Sequence, residues 1–341
     1  MFIPKMYTVE SVTAGHPDKV CDQISDAILD ACLAHDPMSR VAVECFGAHG
    51  HLVIGGEVTS TAVVDYAAIA RQVYRDIGYN DDLDITVHVV QQSPGIARGV
   101  DFGGAGDQGI MYGFATDETP EFLPRGVVLA HRLARDLHGF GRTLPLGPDG
   151  KTQVTINEGR VTDVVVSTQH APSQSLDLLR TQLIEQLIGP AIGDLEGVTL
   201  HINPAGEWHL GGFAADTGLT GRKLMVDTYG GFISHGGGAF SGKDATKVDR
   251  SAAYMCRHVA RTLVAAGKAK QCLVSVAYAI GRAEPVMVTA VDEQGRDLSA
   301  DVSPRFDFRP LAIIERLGLR RPIFQPTAAY GHFGKPELPW G

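Results

Sequence analysis

The 341-residue chain has few cysteines, no long apolar run and no surplus of positive charge. Its five cysteines, Cys21, Cys32, Cys45, Cys256 and Cys272, show no CxxC spacing and are odd in number. A disulfide framework or a structural zinc site is therefore not expected, and reduced thiols in a cytoplasmic compartment fit best. No run approaches the roughly 18 apolar residues of a spanning helix. The N-terminal MFIPKMYTVES lacks the apolar centre of a signal peptide. A net charge of −9 argues against broad binding to nucleic acid or an anionic membrane. An anionic ligand must therefore be held by a local positive cluster.

What is present is a recurring order of elements. Apolar Val20, Ile24, Ala27, Ile28 and Ala31 share one stripe, which predicts a helix over Asp18–Ala34. Strands are expected at Val41–Phe46 and Leu52–Glu57, a helix at Val63–Ile77 and a strand at Ile85–Val90. The order returns as helix Arg125–Leu137, strands Lys151–Ile156 and Val161–Thr168, helix Leu176–Ile188 and strand Val198–Ile202. It starts again with helix Ser251–Ala266, strands Cys272–Ile280 and Pro285–Val291, and helix Arg309–Leu317. The spacing is roughly 110–120 residues, about one small domain each. The expectation is three related α+β units without long linkers, and not one doubly wound sheet. Glycine-rich Asp101–Gly113 is the most loop-like stretch.

The densest chemical signal is GGGAFSGKDATKVDR, from Gly236 to Arg250. Glycines let backbone N–H groups approach a phosphate. Lys243 and Lys247 can neutralise it, and a carboxylate can carry a bridging magnesium ion. Gly237–Asp244 nearly matches a P-loop, but Asp244 stands where Ser or Thr is required, and no βα series surrounds it. GHPDK at 15–19 opens the first helix with Pro17 in a favourable position, and His16, Asp18 and Lys19 could meet a polyphosphate or its metal. GAGDQG at 104–109 reads as a glycine loop presenting Asp107. Glu44 and Glu57 sit in apolar, strand-like surroundings, where an unpaired carboxylate is costly. His49 and His51 flank Gly50 in a solvated hairpin turn.

These motifs, with GGE at 55–57, QSP at 92–94, DTGLTGRK at 216–223, DTYGG at 227–231, KVDRSAAY at 247–254 and AAYGHFG at 328–334, resemble the S-adenosylmethionine synthetases from about Ser11 to Trp340. The resemblance implies a cytoplasmic transferase with three similar, intertwined α+β subdomains, each a sheet with helices on one face, here bounded as 1–95, 104–209 and 210–341. It implies that methionine sulfur attacks C5′ of ATP and that the expelled triphosphate is then hydrolysed. It also implies two magnesium ions and one potassium ion per site, and active sites between two subunits of a homodimer or homotetramer.

Residue by residue, the resemblance makes His16, Lys151 and Lys243 catalytic. It assigns Asp107, Trp208, Asp216, Arg222, Lys223 and Ala239, with those three, to ATP. Glu57, Gln92, Asp216 and Lys247 fall on methionine positions, Asp18 and Asp249 on magnesium positions, and Glu44 on the potassium position. The chain departs from the pattern in a shorter loop after Gln92, in Glu207–Trp208 where Arg-Phe is usual, and in ending just after Trp340. Two other readings are a non-catalytic nucleotide-binding subunit and a P-loop ATPase. Retention of His16, Asp18, Lys151, Lys243 and Asp249 argues against the first.

Overall fold

The computed structural model describes residues 2–91, 103–141 and 143–341. The order is β1 (Met6–Val12), α1 (Pro17–His35), β2 (Arg40–Ala48), β3 (His51–Thr59), α2 (Tyr66–Ile77) and β4 (Asp84–Val90). Then follow β5 (Gly109–Thr116), α3 (Arg125–Phe140), β6 (Leu146–Asn157), β7 (Arg160–His170), α4 (Leu176–Leu183) and β8 (Thr199–Ile202). The last stretch holds β9 (Gly218–Leu219), α5 (Val248–Ala265), β10 (Gln271–Tyr278), β11 (Met287–Asp292) and α6 (Pro310–Leu317). The expected helices and hairpins are present, with ends set by local chemistry. The α2 helix starts at Tyr66 and not at Val63, because the Asp65 carboxylate accepts from the Ala68 N–H at 2.9 Å and caps it.

Three sheets run in the orders β4-β3-β2-β9, β1-β6-β7-β8 and β11-β10-β5. In the first two, an antiparallel hairpin is followed by a helix and a parallel strand. The strands the sequence did not reveal, β1, β5 and β9, make the units intertwine. Each pairs antiparallel with a hairpin from another third of the chain: β1 on β6, β5 on β10 and β9 on β2. The exchange is cyclic, so no third has a complete sheet of its own.

The glycine-rich stretch expected as a loop is thus partly a strand. Gly109–Gly113 belongs to β5, and its glycine content reflects a helix packed on it. A Cβ at Gly113 would lie 2.1 Å from the Arg257 nitrogen and the Cys256 carbonyl carbon of α5. The helices pack on their sheets through buried apolar residues: α1 through Val20, Ile24 and Ile28, α3 through Leu133 and Leu137, and α5 through Val259 and Leu263. Yet α1 is buried on its polar side as well, with Asp18, Lys19, Asp22 and Asp26 all inaccessible.

Replacing Gly113→Ala must push β5 and α5 apart. The expected cost is about 1–3 kcal/mol, as for other overpacked sites, read as a lower midpoint of thermal unfolding. An unchanged midpoint would show that the two elements separate freely.

Candidate active site

A first cluster forms where β1 runs into α1. This junction is pressed against the Leu146–Lys151 segment: the Thr13 hydroxyl donates to the Pro148 carbonyl at 2.7 Å, and a Cβ at Gly15 would lie 2.3 Å from that same oxygen. His16 is the N-cap of α1, with Pro17 at the first helical position. Its Nδ1 accepts from the Asp18 N–H at 3.2 Å, so the ring proton resides on Nε2. Burial, reinforced by the charges of Lys223 and Lys151, pushes His16 down to about 3. The imidazole is therefore neutral and a donor through Nε2.

The Asp18 carboxylate accepts from Lys223 Nζ at 2.6 Å and from the Leu219 N–H at 2.9 Å, with Arg222 Nε 3.5 Å away. Lys151 lies opposite Val12 in the β1–β6 register, which brings it beside His16. Asp216 is exposed and close enough for its charge to oppose the lysines at His16. Asp149 was not singled out from the sequence, although its place two residues before Lys151 in the DGK motif was a signal. One of its oxygens accepts from the Gly212 N–H at 2.9 Å, and the other is buried without a partner among the described residues. Burial pushes this carboxyl up to about 6.

A second cluster follows the glycine loop. Lys243 Nζ donates to an Asp249 oxygen at 2.7 Å, in the first turn of α5. The bare backbone of Gly238 admits that carboxylate: a Cβ there would lie 2.2 Å from Asp249 Cγ. Gly109 also faces Asp249, which brings the exposed Asp107 turn to the same region. Lys247 pairs with Asp244. Asp244 also accepts the Val41 N–H at 2.7 Å, while Lys243 bridges Ala42. This loop therefore runs along β2, and α5 begins only at Val248, which is not P-loop geometry. Ala239 touches the loop of the first cluster, since a Cβ at Gly221 would meet the Ala239 Cβ at 2.4 Å. Among the described residues, no ion pair joins the two clusters.

Glu44 and Glu57 join neither cluster. The expectation that they lie in apolar surroundings is corrected for Glu44, which is exposed. Strand alternation turns Val43 and Cys45 inward and Glu44 outward. Glu57 faces the same way opposite Ala42 and is partly exposed. Trp208 is half-buried beside the end of β7; its carbonyl accepts from the His170 N–H at 2.8 Å, and its indole N–H donates to the Leu210 carbonyl at 2.6 Å. Glu207 turns to solvent and meets His209 at 3.1 Å. Gln92 lies outside the described residues.

Family models match nearly the whole chain: the S-adenosylmethionine synthetase N-terminal domain at 4–94, central domain at 103–208 and C-terminal domain at 210–341. The chain belongs to the S-adenosylmethionine synthetase family. Relatives named S-adenosylmethionine synthase include those of Desulforudis audaxviator, 50% identical with 98% of this chain and 95% of the relative covered, and of Pseudothermotoga lettingae, 48% identical with 98% and 96% covered. That of Parafrankia sp. is 48% identical, with 98% and 94% covered. The alignments run over 376, 381 and 379 positions, so these synthetases carry internal segments that the 341-residue chain lacks.

The depressed His16 has a measurable consequence. Its folded value lies below the unfolded one, so lowering the pH protonates the unfolded chain first. His16 therefore lowers stability progressively from about pH 6.5 down to about pH 3. Its ring resonances in NMR are expected to stay flat between pH 5 and 8. A titration step in that window would contradict the neutral-donor assignment.

Proposed function

We propose that this protein is a methionine adenosyltransferase. The sulfur of L-methionine attacks C5′ of ATP, the C5′–O bond breaks, and the triphosphate leaves and is hydrolysed to phosphate and diphosphate before release. The observation that carries this reading is the buried, neutral His16 held beside Lys151, Arg222 and Lys223. A thioether has no proton to lose, so no general base is needed. The barrier falls by aligning sulfur, carbon and leaving oxygen and by stabilising charge on the triphosphate. His16 Nε2–H donates to the leaving oxygen without having to be a cation. Lys151, Arg222, Lys223 and Lys243 contact the phosphates. Asp107 and Ala239 face the nucleotide, and Trp208 stacks on adenine. Glu57, Gln92, Asp216 and Lys247 hold methionine.

Among the described residues, no group of three or more His, Cys, Asp or Glu is arranged around a metal. The donor set nevertheless fits magnesium, which is commonly held by one or two carboxylates with substrate phosphates and water supplying the rest. Asp18 and Asp249 are such single carboxylates, and each is neutralised here by a lysine. When those lysines engage phosphate, the freed carboxylates would hold the two magnesium ions of the site. Bound magnesium would neutralise charge developing on the leaving group. Glu44 would contribute one oxygen donor to a potassium ion, with others from backbone or a second copy.

The site is shared between copies. The sheet faces turned away from the helices expose Phe46, Val53, Val90, Ile110 and Met287. A second copy covers them and sets its Lys243–Asp249 cluster against the His16–Lys223 cluster of the first, as homodimer or homotetramer. The three units 1–95, 104–209 and 210–341 are its domains. No helix among the described residues is long and apolar enough to cross a membrane, and the substrates place the enzyme in the cytoplasm.

The direct test is formation of S-adenosylmethionine from ATP and methionine. Lys151→Ala and Lys243→Ala are each expected to raise the barrier by about 2–4 kcal/mol, as for loss of one preorganised donor. Turnover within threefold of wild type would sink these assignments. Co-assembled His16→Ala and Lys243→Ala subunits, each inactive alone, should recover about one quarter of wild-type activity, because half the dimers then hold one intact site. No recovery would contradict a shared site.

Asp18→Asn and Asp249→Asn are expected to raise the magnesium concentration needed for half-maximal rate. An unchanged magnesium titration would make both carboxylates purely structural.

A further inference from the structure

Helix α1 carries a carboxylate at every fourth position: Asp18, Asp22, Asp26 and Asp30. Such spacing ordinarily marks one solvated face. Here Asp22 and Asp26 are wholly inaccessible, and all four accept backbone N–H groups from segments distant in sequence. Asp18 takes Leu219, Asp22 takes Gly221 at 2.8 Å, Asp26 takes Gly242 at 2.8 Å, and Asp30 takes Phe324 and Gln325.

The middle two form a matched pair. Gly221 and Gly242 both have φ +79°, and each directly precedes basic residues of the site: Arg222 and Lys223 in one case, Lys243 in the other. Neither glycine can carry a side chain, since a Cβ would meet Ala239 Cβ at 2.4 Å or the Val43 carbonyl oxygen at 1.9 Å. Each carboxylate is itself fixed by a buried cation. Lys19 Nζ donates to Asp22 at 2.8 Å, and Arg250 donates to Asp26 through two bonds of 2.6 and 2.8 Å. Arg250 also donates to the Lys243 carbonyl at 3.1 Å, so the backbone of the phosphate-facing lysine is held from both ends.

We propose that Asp22 and Asp26 are positioning residues, whose carboxylates, one helical turn apart, hold the glycine elbows at 221 and 242 and so fix the placement of the cations that meet the triphosphate. One turn of helix sets the two anchor points about 6 Å apart along the axis. The same helix carries His16 and Asp18 at its start, so one rigid element indexes both clusters. The inference rests on the functional reading given above, but it concerns anion placement, and the readout that decides it is anion binding.

Asp22 is the better position to vary, because removing Asp26 strands the buried Arg250 charge, whereas Lys19 keeps a second partner in Asp227 at 2.5 Å. Binding of inorganic tripolyphosphate with magnesium is measured by calorimetry, alongside turnover and the thermal midpoint. Asp22→Ala is expected to bind tripolyphosphate at least tenfold more weakly. Turnover should fall by a similar factor, with the methionine KM within twofold of wild type. Asp22→Asn keeps an acceptor for the Gly221 N–H and should recover both to within threefold. Asp30→Ala, from the same stripe but holding a segment that carries none of the cations assigned to the phosphates, should lower the midpoint and leave both functional readouts intact.

If Asp22→Ala does not fold, Asp22→Ser, too short to reach both partners, is read the same way. Tripolyphosphate affinity unchanged in the folded variant, an equal loss in Asp30→Ala, or no tripolyphosphate binding by wild type would overturn the proposal. A wild type that binds tripolyphosphate but forms no S-adenosylmethionine would sink the functional reading. The affinity ratio of the Asp22 variants would then still decide this inference.

Discussion

The arrangement of the glycine loop and of α5 against the first helix depends on the buried pair of Asp26 and Arg250. Both side chains are inaccessible, and the pair joins α1 to α5 across the chain. Arg250 spends its remaining donors on the Tyr254 hydroxyl, the Lys243 carbonyl and Thr327. A fully satisfied pair of this kind contributes little net stability, because desolvation offsets most of the attraction. Removing one partner is different and costs about 3–5 kcal/mol, since the other charge stays buried and unpaired. The consequence is geometric: α1 cannot slide or rotate against α5 without breaking charged bonds of fixed direction.

That fixity matters because no third of the chain closes its own sheet. The cyclic donation of β1, β5 and β9 means that the first helix, the start of β6 and the glycine loop are brought together by pairings between different thirds of the chain. Close backbone approach permits this. Gly113 lets α5 rest on β5, and Gly15 lets the start of α1 rest on Pro148. The buried network of Lys19, Asp22 and Asp227 then ties α1 to the loop that carries Arg222 and Lys223.

The site is charge-balanced as it stands, which reconciles a basic cluster with a chain of net charge −9. Lys223 answers Asp18, Lys243 answers Asp249, and Lys247 answers Asp244. A polyanion entering this site competes for cations already paired, so cations brought with it would satisfy the carboxylates it displaces. His16 stands apart from these pairs, because burial, reinforced by the charges of Lys223 and Lys151, holds it neutral.

The periodicity of α1, the hairpins β2–β3 and β6–β7, and the threefold recurrence were legible because they rest on local pattern. The residue types of the candidate site were legible as well, since glycine, lysine and carboxylate in close order are what a polyphosphate would demand. The outward turn of Glu44 was also legible, from alternation with Val43 and Cys45, although the surrounding apolar letters masked it. The strands β1, β5 and β9 were not, because short, polar or glycine-rich segments become strands only when a distant edge supplies the partner bonds. Nor did the sequence distinguish the aspartates of α1 from a solvated stripe. Spacing places them on one face, but only tertiary structure brings Leu219, Gly221, Gly242 and Phe324 to that face. A buried carboxylate is tolerated where such donors meet it and excluded where they do not.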